Sequence, residues 1–424
     1  MSAINAKLMG RMLTLFSVVV IFVSACSPAP TSGSGNTTNS TGDGSGPSLP
    51  SNATSTPETL LQEPDCEDPF EGTIIRFRTS YWDLTDFCKH SVDYDEIFSG
   101  GPPPDGIRPI DNPTFETVAQ ADSHLGIRWP VMVFEWNGDA RAYPLYILVW
   151  HEIVNDVVGG LPVAITYCPL CNATIAFDRT LPDGRLLDFG TTGNLRNSDL
   201  VMYDRQTQSW WQQFTGEAIV GELTGTQLQF LPSQIVAWED FKQGHPDGSV
   251  LAGESGSSRR YGQIPYVGYD DIDSIPFLFS GALDTRLPAM ERVAAVKIEN
   301  DAIAYPFSDL SEARVVNDTV GEKAIVVFWK SGTNSALDPL GAEGRRDIGS
   351  TAVFLRQLDD QELTFRVVGE GIEDIETGSL WNIFGQAVEG SLLGSQLTPV
   401  VFAEHFWFAW AAFEPATAIW SAPE

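Results

Sequence analysis

Val131-Met-Val-Phe-Glu-Trp-Asn-Gly-Asp-Ala-Arg-Ala-Tyr143 reads as a β-hairpin. Val131 to Trp136 is an apolar run interrupted only by Glu135. Asn137-Gly138 is the dipeptide that favours a tight two-residue turn, and Ala140-Arg-Ala-Tyr143 returns as the second strand. Working outward, Leu145 to Glu152 fits a short helix closed by a polar corner at Asn155-Asp156. Pro162-Val-Ala-Ile-Thr-Tyr167 reads as a buried strand. Ala173-Thr-Ile-Ala-Phe-Asp-Arg179 reads as a second strand, Pro182-Asp-Gly184 as a turn, and a third strand is expected from Arg185. Ser233 to Gln243, with Trp238 and Phe241 three apart, fits a helix before His245-Pro246. The expected fold class is α+β, mainly β.

The same pattern returns later in the chain. Ala142-Tyr-Pro144 recurs as Ala304-Tyr-Pro306, and Val154-Asn-Asp156 as Val316-Asn-Asp318, both 162 positions on. Residues 142–172 and 304–334 share ten identities in 31 ungapped positions. Composition alone would give roughly two, so an internal duplication into two similar β-rich lobes is expected. After a slip in register, Trp211 meets Trp381, Trp238 meets Trp407 and Pro246 meets Pro415. These apolar and turn positions persist as scaffold. The reactive positions do not: Cys168 faces Lys330, Cys171 faces Thr333, His151 faces Ala313 and His245 faces Glu414. The first copy reads as the working lobe and the second as degenerate.

Lys7 and Arg11 precede the apolar run Leu13–Val23, and Val23-Ser-Ala-Cys26 has the form of a lipoprotein cleavage box. The expected organisation is a signal peptide over 1–25, then a lipidated Cys26 with a flexible Ser/Thr/Gly/Pro tether over 26–64. An N-terminal extension over 65–128 leads to the first lobe over 129–290 and the degenerate lobe over 291–424. The expected location is the cell envelope outside the cytoplasm, held to the membrane by the N-terminal lipid. With 25 basic and 56 acidic residues the chain carries a net −31, which argues against nucleic acid as a partner. Loss of Lys7 and Arg11 with the signal would leave about −33.

Setting Cys26 aside leaves Cys66, Cys88, Cys168 and Cys171. An oxidising compartment makes two pairs natural. Cys66 with Cys88 is expected as a structural disulfide. Cys168-Pro-Leu-Cys171 admits three chemistries. One is a dithiol/disulfide redox centre with a partner protein of unspecified identity, tuned by the intervening proline. Another is half of a copper or zinc site completed by His151, with His245 and Asp199 as further candidates. The last is a permanent small disulfide in a non-enzymatic surface protein whose aromatic cleft takes a ligand. The strand-like residues after Cys171 argue against a thioredoxin-type site, whose thiols open a helix. His151, seventeen residues before Cys168, is a candidate base for a thiol, against an ordinary hydrogen-bonded core role. His245 reads as helix capping. Asn197-Ser-Asp199 is a candidate lining of the thiol cleft, and Asp204 with Arg205 reads as an ion pair in a turn. Asp270-Asp-Ile-Asp273 lacks the spacing of a calcium loop and reads as a solvated loop. No phosphate-binding glycine loop, serine-nucleophile elbow or His-Glu-x-x-His motif is present, and no cofactor is named by the sequence.

Thr166-Tyr-Cys-Pro-Leu-Cys171, Phe177-Asp-Arg179, Asn197-Ser-Asp-Leu-Val-Met-Tyr-Asp-Arg205 and Trp210-Trp-Gln212 together resemble the family called domain of unknown function 3179. Gly101-Pro-Pro-Pro-Asp-Gly-Ile107, Glu291-Arg-Val293 and Phe406-Trp-Phe-Ala-Trp410 fit the resemblance, which spans roughly residues 70 to 420. It implies that some relatives carry selenocysteine within the motif, which suits redox or nucleophilic chemistry better than packing. Asn172 stands where glycine is common in that family.

Overall fold

The computed structural model describes residues 61–62, 66–253, 261–339 and 345–422, all within one unit spanning Asn52–Glu424. The signal peptide over 1–25, Cys26 and most of the tether lie outside the described residues. Leu61–Gln62, strand β1, pairs with β2 (Lys89–His90). β3 (Ile97–Ser99), β4 (Phe115–Thr117) and the short helix α1 (Val118–Ala121) complete the extension. Cys66 and Cys88 are joined in a disulfide that closes this segment.

The first half runs β5 (Pro130–Trp136), β6 (Asp139–Pro144), α2 (Leu145–His151), β7 (Ile153–Val158), β8 (Leu161–Cys168) and β9 (Ala173–Asp178). It continues with β10 (Phe189–Arg196), β11 (Asp199–Asp204), β12 (Trp210–Gln212), β13 (Ala218–Val220), β14 (Phe230–Leu231), β15 (Gln234–Ala237), α3 (Trp238–Gly244) and β16 (Ser249–Leu251). The second half repeats the order: β17 (Arg292–Ile298), β18 (Asp301–Pro306), α4 (Phe307–Ala313), β19 (Val315–Val320), β20 (Lys323–Lys330) and β21 (Ser350–Leu355). A small β22–β23 hairpin (Gln357–Leu358, Gln361–Glu362) precedes β24 (Phe365–Val368), β25 (Gly371–Asp374), β26 (Leu380–Trp381), β27 (Ala387–Glu389), β28 (Phe402–Phe406), α5 (Trp407–Phe413) and β29 (Ala418–Ile419). The architecture is α+β and mainly β. β17 through β20 each begin 162 positions after their counterparts β5 through β8.

Each half builds the same three sheets. β15-β5-β6-β16-β4 matches β28-β17-β18-β29, β14-β9-β8-β7 matches β19-β20-β21, and β13-β12-β11-β10 matches β24-β25-β26-β27. The extension is not a separate module, since β2, β3 and β4 add to the edges of first-half sheets. The Asn137-Gly138 turn forms as expected, with both residues at positive φ (48° and 78°).

Polar side chains that bridge the strands repeat as well, although Asn317 is exposed where Asn155 is buried. The Asn155 amide donates to the Phe189 carbonyl at 2.8 Å and accepts from the Phe189 N–H at 2.9 Å, bridging β7 to β10. Asn317 does the same with Phe365, at 2.8 and 2.9 Å. The Tyr143 hydroxyl donates to Asp156 as Tyr305 does to Asp318, and Trp211 Nε1 donates to Asp204 as Trp381 does to Asp374. Buried polar groups need such partners, so these residues hold the scaffold.

Several sequence expectations change. Asn155-Asp156 lies inside β7 because its side chains are used across the sheet. Asp204 and Arg205 are not a pair: Asp204 is buried on Thr207 and Trp211, while Arg205 reaches Asp105 and Asp111. The strand expected from Arg185 starts at Phe189. Ser233 to Gln243 divides, because Ile235-Val236 on β15 pair with β5 before the helix begins at Trp238.

The halves share their cores. Trp238 and Phe241 of α3 pack among Phe328, Phe354, Phe365 and Trp381 of the second half. Reciprocally, Phe406 and the α5 residues Trp407, Phe408 and Trp410 pack among Cys168, Cys171, Trp211 and Phe214 of the first. Fully burying such an aromatic contributes about 1.5–3 kcal/mol. Each half therefore completes the other's interior.

Candidate functional site

Cys168 is the last residue of β8, and its register partner Ala173 opens β9. The two cysteines thus sit at the end of a β-hairpin and do not open a helix. Asn172 takes positive φ (54°), a conformation that Gly and Asn adopt most readily, which accounts for asparagine in a place that suits glycine. Both thiols are free and buried, with Cys168 2% and Cys171 0% exposed.

A second hairpin faces them. β10 and β11 join through Asn197-Ser198, both at positive φ (51° and 65°), as a two-residue primed turn requires. Its carbonyls point at the sulfurs: Cys168 Sγ donates to the Ser198 carbonyl at 3.7 Å and Cys171 Sγ to the Asn197 carbonyl at 4.0 Å. The next residue, Asp199, is fully buried, and a carboxylate oxygen lies within 4.8 Å of both sulfurs. Asp199 Oδ2 accepts from Gln212 Nε2 at 2.6 Å and from the Phe214 N–H at 2.9 Å. Asp199 Oδ1 is buried without a hydrogen-bond partner.

Burial disfavours charge on all three groups. It pushes Asp199 up to about 7, against the hydrogen bonds from Gln212 and Phe214 that pull it down. It raises both thiols, Cys171 further than Cys168. The neighbouring Cys171 thiol holds Cys168 down, while Cys168 pushes Cys171 up.

The second half supplies a wall. The Phe406 N–H donates to the Cys171 carbonyl at 2.9 Å, and Asn172 Nδ2 donates to the Glu404 carbonyl at 3.5 Å. His405 stacks between Phe214 (4.2 Å) and Trp410 (5.6 Å). Burial raises Glu404 to about 7 and lowers His405 to about 3. Sequence reading missed Glu404 and His405. The internal repeat carried the signal, since they align with Ile235 and Val236, two buried apolar residues of β15. The connector between the halves forms a strap. Tyr269 Oη donates to the Leu170 carbonyl at 3.1 Å and accepts from the Phe277 N–H at 3.1 Å, and the Ser198 hydroxyl donates to the Phe277 carbonyl.

His151 does not join the thiols. It is buried at the end of α2, with Nδ1 2.7 Å from the Arg108 carbonyl and Nε2 2.7 Å from the Tyr261 hydroxyl. Its ring nitrogens face Arg108 and Tyr261, and the group gathered at the sulfurs is Cys168, Cys171 and Asp199. His245 caps α3 and stacks on Phe241 and Phe384. Asp270 is not solvated; it is buried between Arg292 and Arg346. At the repeat-related position, Lys330 pairs with Asp240 of α3, and the Thr333 and Ser350 hydroxyls bond at 2.5 Å. At these positions the second half carries closed polar pairs where the first carries thiols.

No curated protein and no solved structure matches the chain. The family model described as "Protein of unknown function (DUF3179)" matches residues 104–417, from the proline-rich loop ahead of β4 to the turn before β29. That span takes in both halves, both hairpins around the thiols and the α5 wall, and the chain belongs to this family.

Proposed function

We propose that this is a lipid-anchored extracytoplasmic redox protein whose centre is the Cys168/Cys171 dithiol. The observation that carries the reading is a pair of free thiols two residues apart at the end of one hairpin, beside a carboxylate with an unbonded oxygen. The other described cysteines, Cys66 and Cys88, are already committed to a disulfide. The substrate class is a disulfide, or in reverse a dithiol, of a partner protein or small thiol.

Cys168, 2% exposed against 0% for Cys171, is the attacking sulfur in this reading. Its proton passes to the Asp199 carboxylate. The Cys168 thiolate breaks the partner disulfide, forming a mixed disulfide and releasing one partner thiol, which takes up a proton. Cys171 then attacks Cys168 Sγ, releasing the second partner thiol and leaving Cys168 and Cys171 oxidised. Two electrons and two protons move to the partner, and the reverse sequence oxidises a partner dithiol. Burial slows reaction with bulk reagents and confines exchange to partners that displace the strap.

The test is the reduction potential of the pair, read by thiol trapping and mass spectrometry in metal-free glutathione or dithiothreitol buffers. A potential above about −250 mV places the pair among exchangeable disulfides. A value below about −300 mV marks a structural staple and overturns the reading. In support, Cys168→Ser abolishes electron exchange with an unchanged melting temperature.

A further inference from the structure

We infer that the reduced centre is also a zinc site, with Cys168 Sγ, Cys171 Sγ and the Asp199 carboxylate as its protein ligands. The inference deepens the redox reading, and rests on it only for the claim that metal and disulfide exclude each other. The three ligand atoms lie within 4.8 Å of one another. Zinc–sulfur and zinc–oxygen bonds of about 2.3 and 2.0 Å at tetrahedral angles separate ligand atoms by roughly 3.5–4 Å, so small side-chain adjustments close the site.

An independent observation concerns Asp199. Gln212 Nε2 and the Phe214 N–H occupy Oδ2 and fix the carboxylate plane, while Oδ1 is buried with no partner. A ligating carboxylate is ordinarily held through its second oxygen in this way. Leaving an acceptor buried and unbonded is unfavourable, and a bound cation offsets that cost. The repeat-related position carries a cation of its own, Lys330 on Asp240, whereas in the thiol half the carboxylate meets two sulfurs.

The donor set selects the ion. Two thiolates disfavour magnesium and calcium, and the carboxylate oxygen favours zinc over copper(I). Three protein ligands leave the fourth position to solvent or to a substrate group. Binding expels the two thiol protons to solvent, with no change of oxidation state. The same sulfur electron pairs cannot also form a disulfide, so zinc holds the pair reduced. Each tenfold excess of free zinc over its Kd raises the midpoint potential by about 30 mV.

The full chain, reduced and stripped of metal, is titrated with Zn2+ against a chromogenic chelator, and with Co2+ as a spectroscopic probe. One equivalent binds, and Co2+ shows thiolate charge-transfer and tetrahedral d–d bands. Cys168→Ser weakens Zn2+ at least a hundredfold and Asp199→Asn at least tenfold. Zn2+ raises the melting temperature of the wild type and not of Cys168→Ser, which keeps a misfolded variant from counting as support. Absence of stoichiometric Zn2+, or Asp199→Asn binding as tightly as wild type, overturns the inference. If the pair cycles reversibly without metal but takes up no Zn2+, this inference fails and the redox reading stands. If Zn2+ binds but no disulfide forms, the redox reading fails and the zinc site stands.

Discussion

Asp199 and His405 sit on opposite sides of Phe214, whose N–H serves the first and whose ring stacks on the second. His405 is held neutral by burial, at about 3 against 6.5 in an exposed chain. Below pH 6.5 the unfolded chain takes up a proton that the folded one refuses. Stability is therefore full above 6.5, falls as the pH drops, and levels near 3. Glu404, raised from 4.5 to about 7, acts in the opposite sense: its contribution is full below 4.5 and is lost as the pH rises through 7. His405→Phe keeps the aromatic stack and removes only the acid limb. Its urea midpoint, relative to wild type, rises by more at pH 4 than at pH 7, by a stability difference on the order of a few kcal/mol. An equal shift at both pH values would contradict the assignment.

Two hairpins and one strap make the site, and the three were not equally legible in the sequence. The Cys168–Cys171 hairpin could be read because an apolar run, a proline and a strand-like continuation all fall within a dozen residues. Asn197-Ser-Asp199 could be read as a candidate lining of the thiol cleft, but nothing local says that its turn carbonyls meet the thiols 26 and 30 residues away. His151 misled because proximity in sequence was taken for proximity in space, while α2 turns its ring toward Arg108 and Tyr261. The helix expected over Ser233 to Gln243 failed for its first half because the edge of β5 offers β15 a full ladder, which outweighs local preference. The strap was not anticipated at all. Its main tie is Tyr269, so Tyr269→Phe removes the bond to Leu170 and loosens it. At about 1 kcal/mol for that bond, Cys168 modification by Ellman's reagent should quicken roughly fivefold. An unchanged rate would show that the strap does not limit access.

At the scale of the whole molecule, the two halves run parallel in element order, in sheet order and in paired polar groups. What the pattern did not disclose is that the helices α3 and α5 exchange partners across the halves, since contacts of that range leave no periodicity in either segment. No described helix is long and apolar enough to cross a membrane. In the proposed function membrane attachment rests on a lipidated Cys26, and Cys26→Ser should move the protein from the membrane pellet to the soluble fraction. The Cys168–Cys171 potential should stay unchanged, because the folded unit contains every side chain that touches the thiols. A variant that still sediments with membranes would refute the anchor.

The wall built by α5 also sets a clock. Trp407 follows Cys171 by 236 positions, so at ~5–20 residues per second the ribosome delivers the wall tens of seconds after the thiols. During that interval Cys168 and Cys171 are open to whatever oxidant the nascent chain meets, alongside Cys66 and Cys88. Mispairing among the four is a hazard of biosynthesis, and it ends only when the last helix docks.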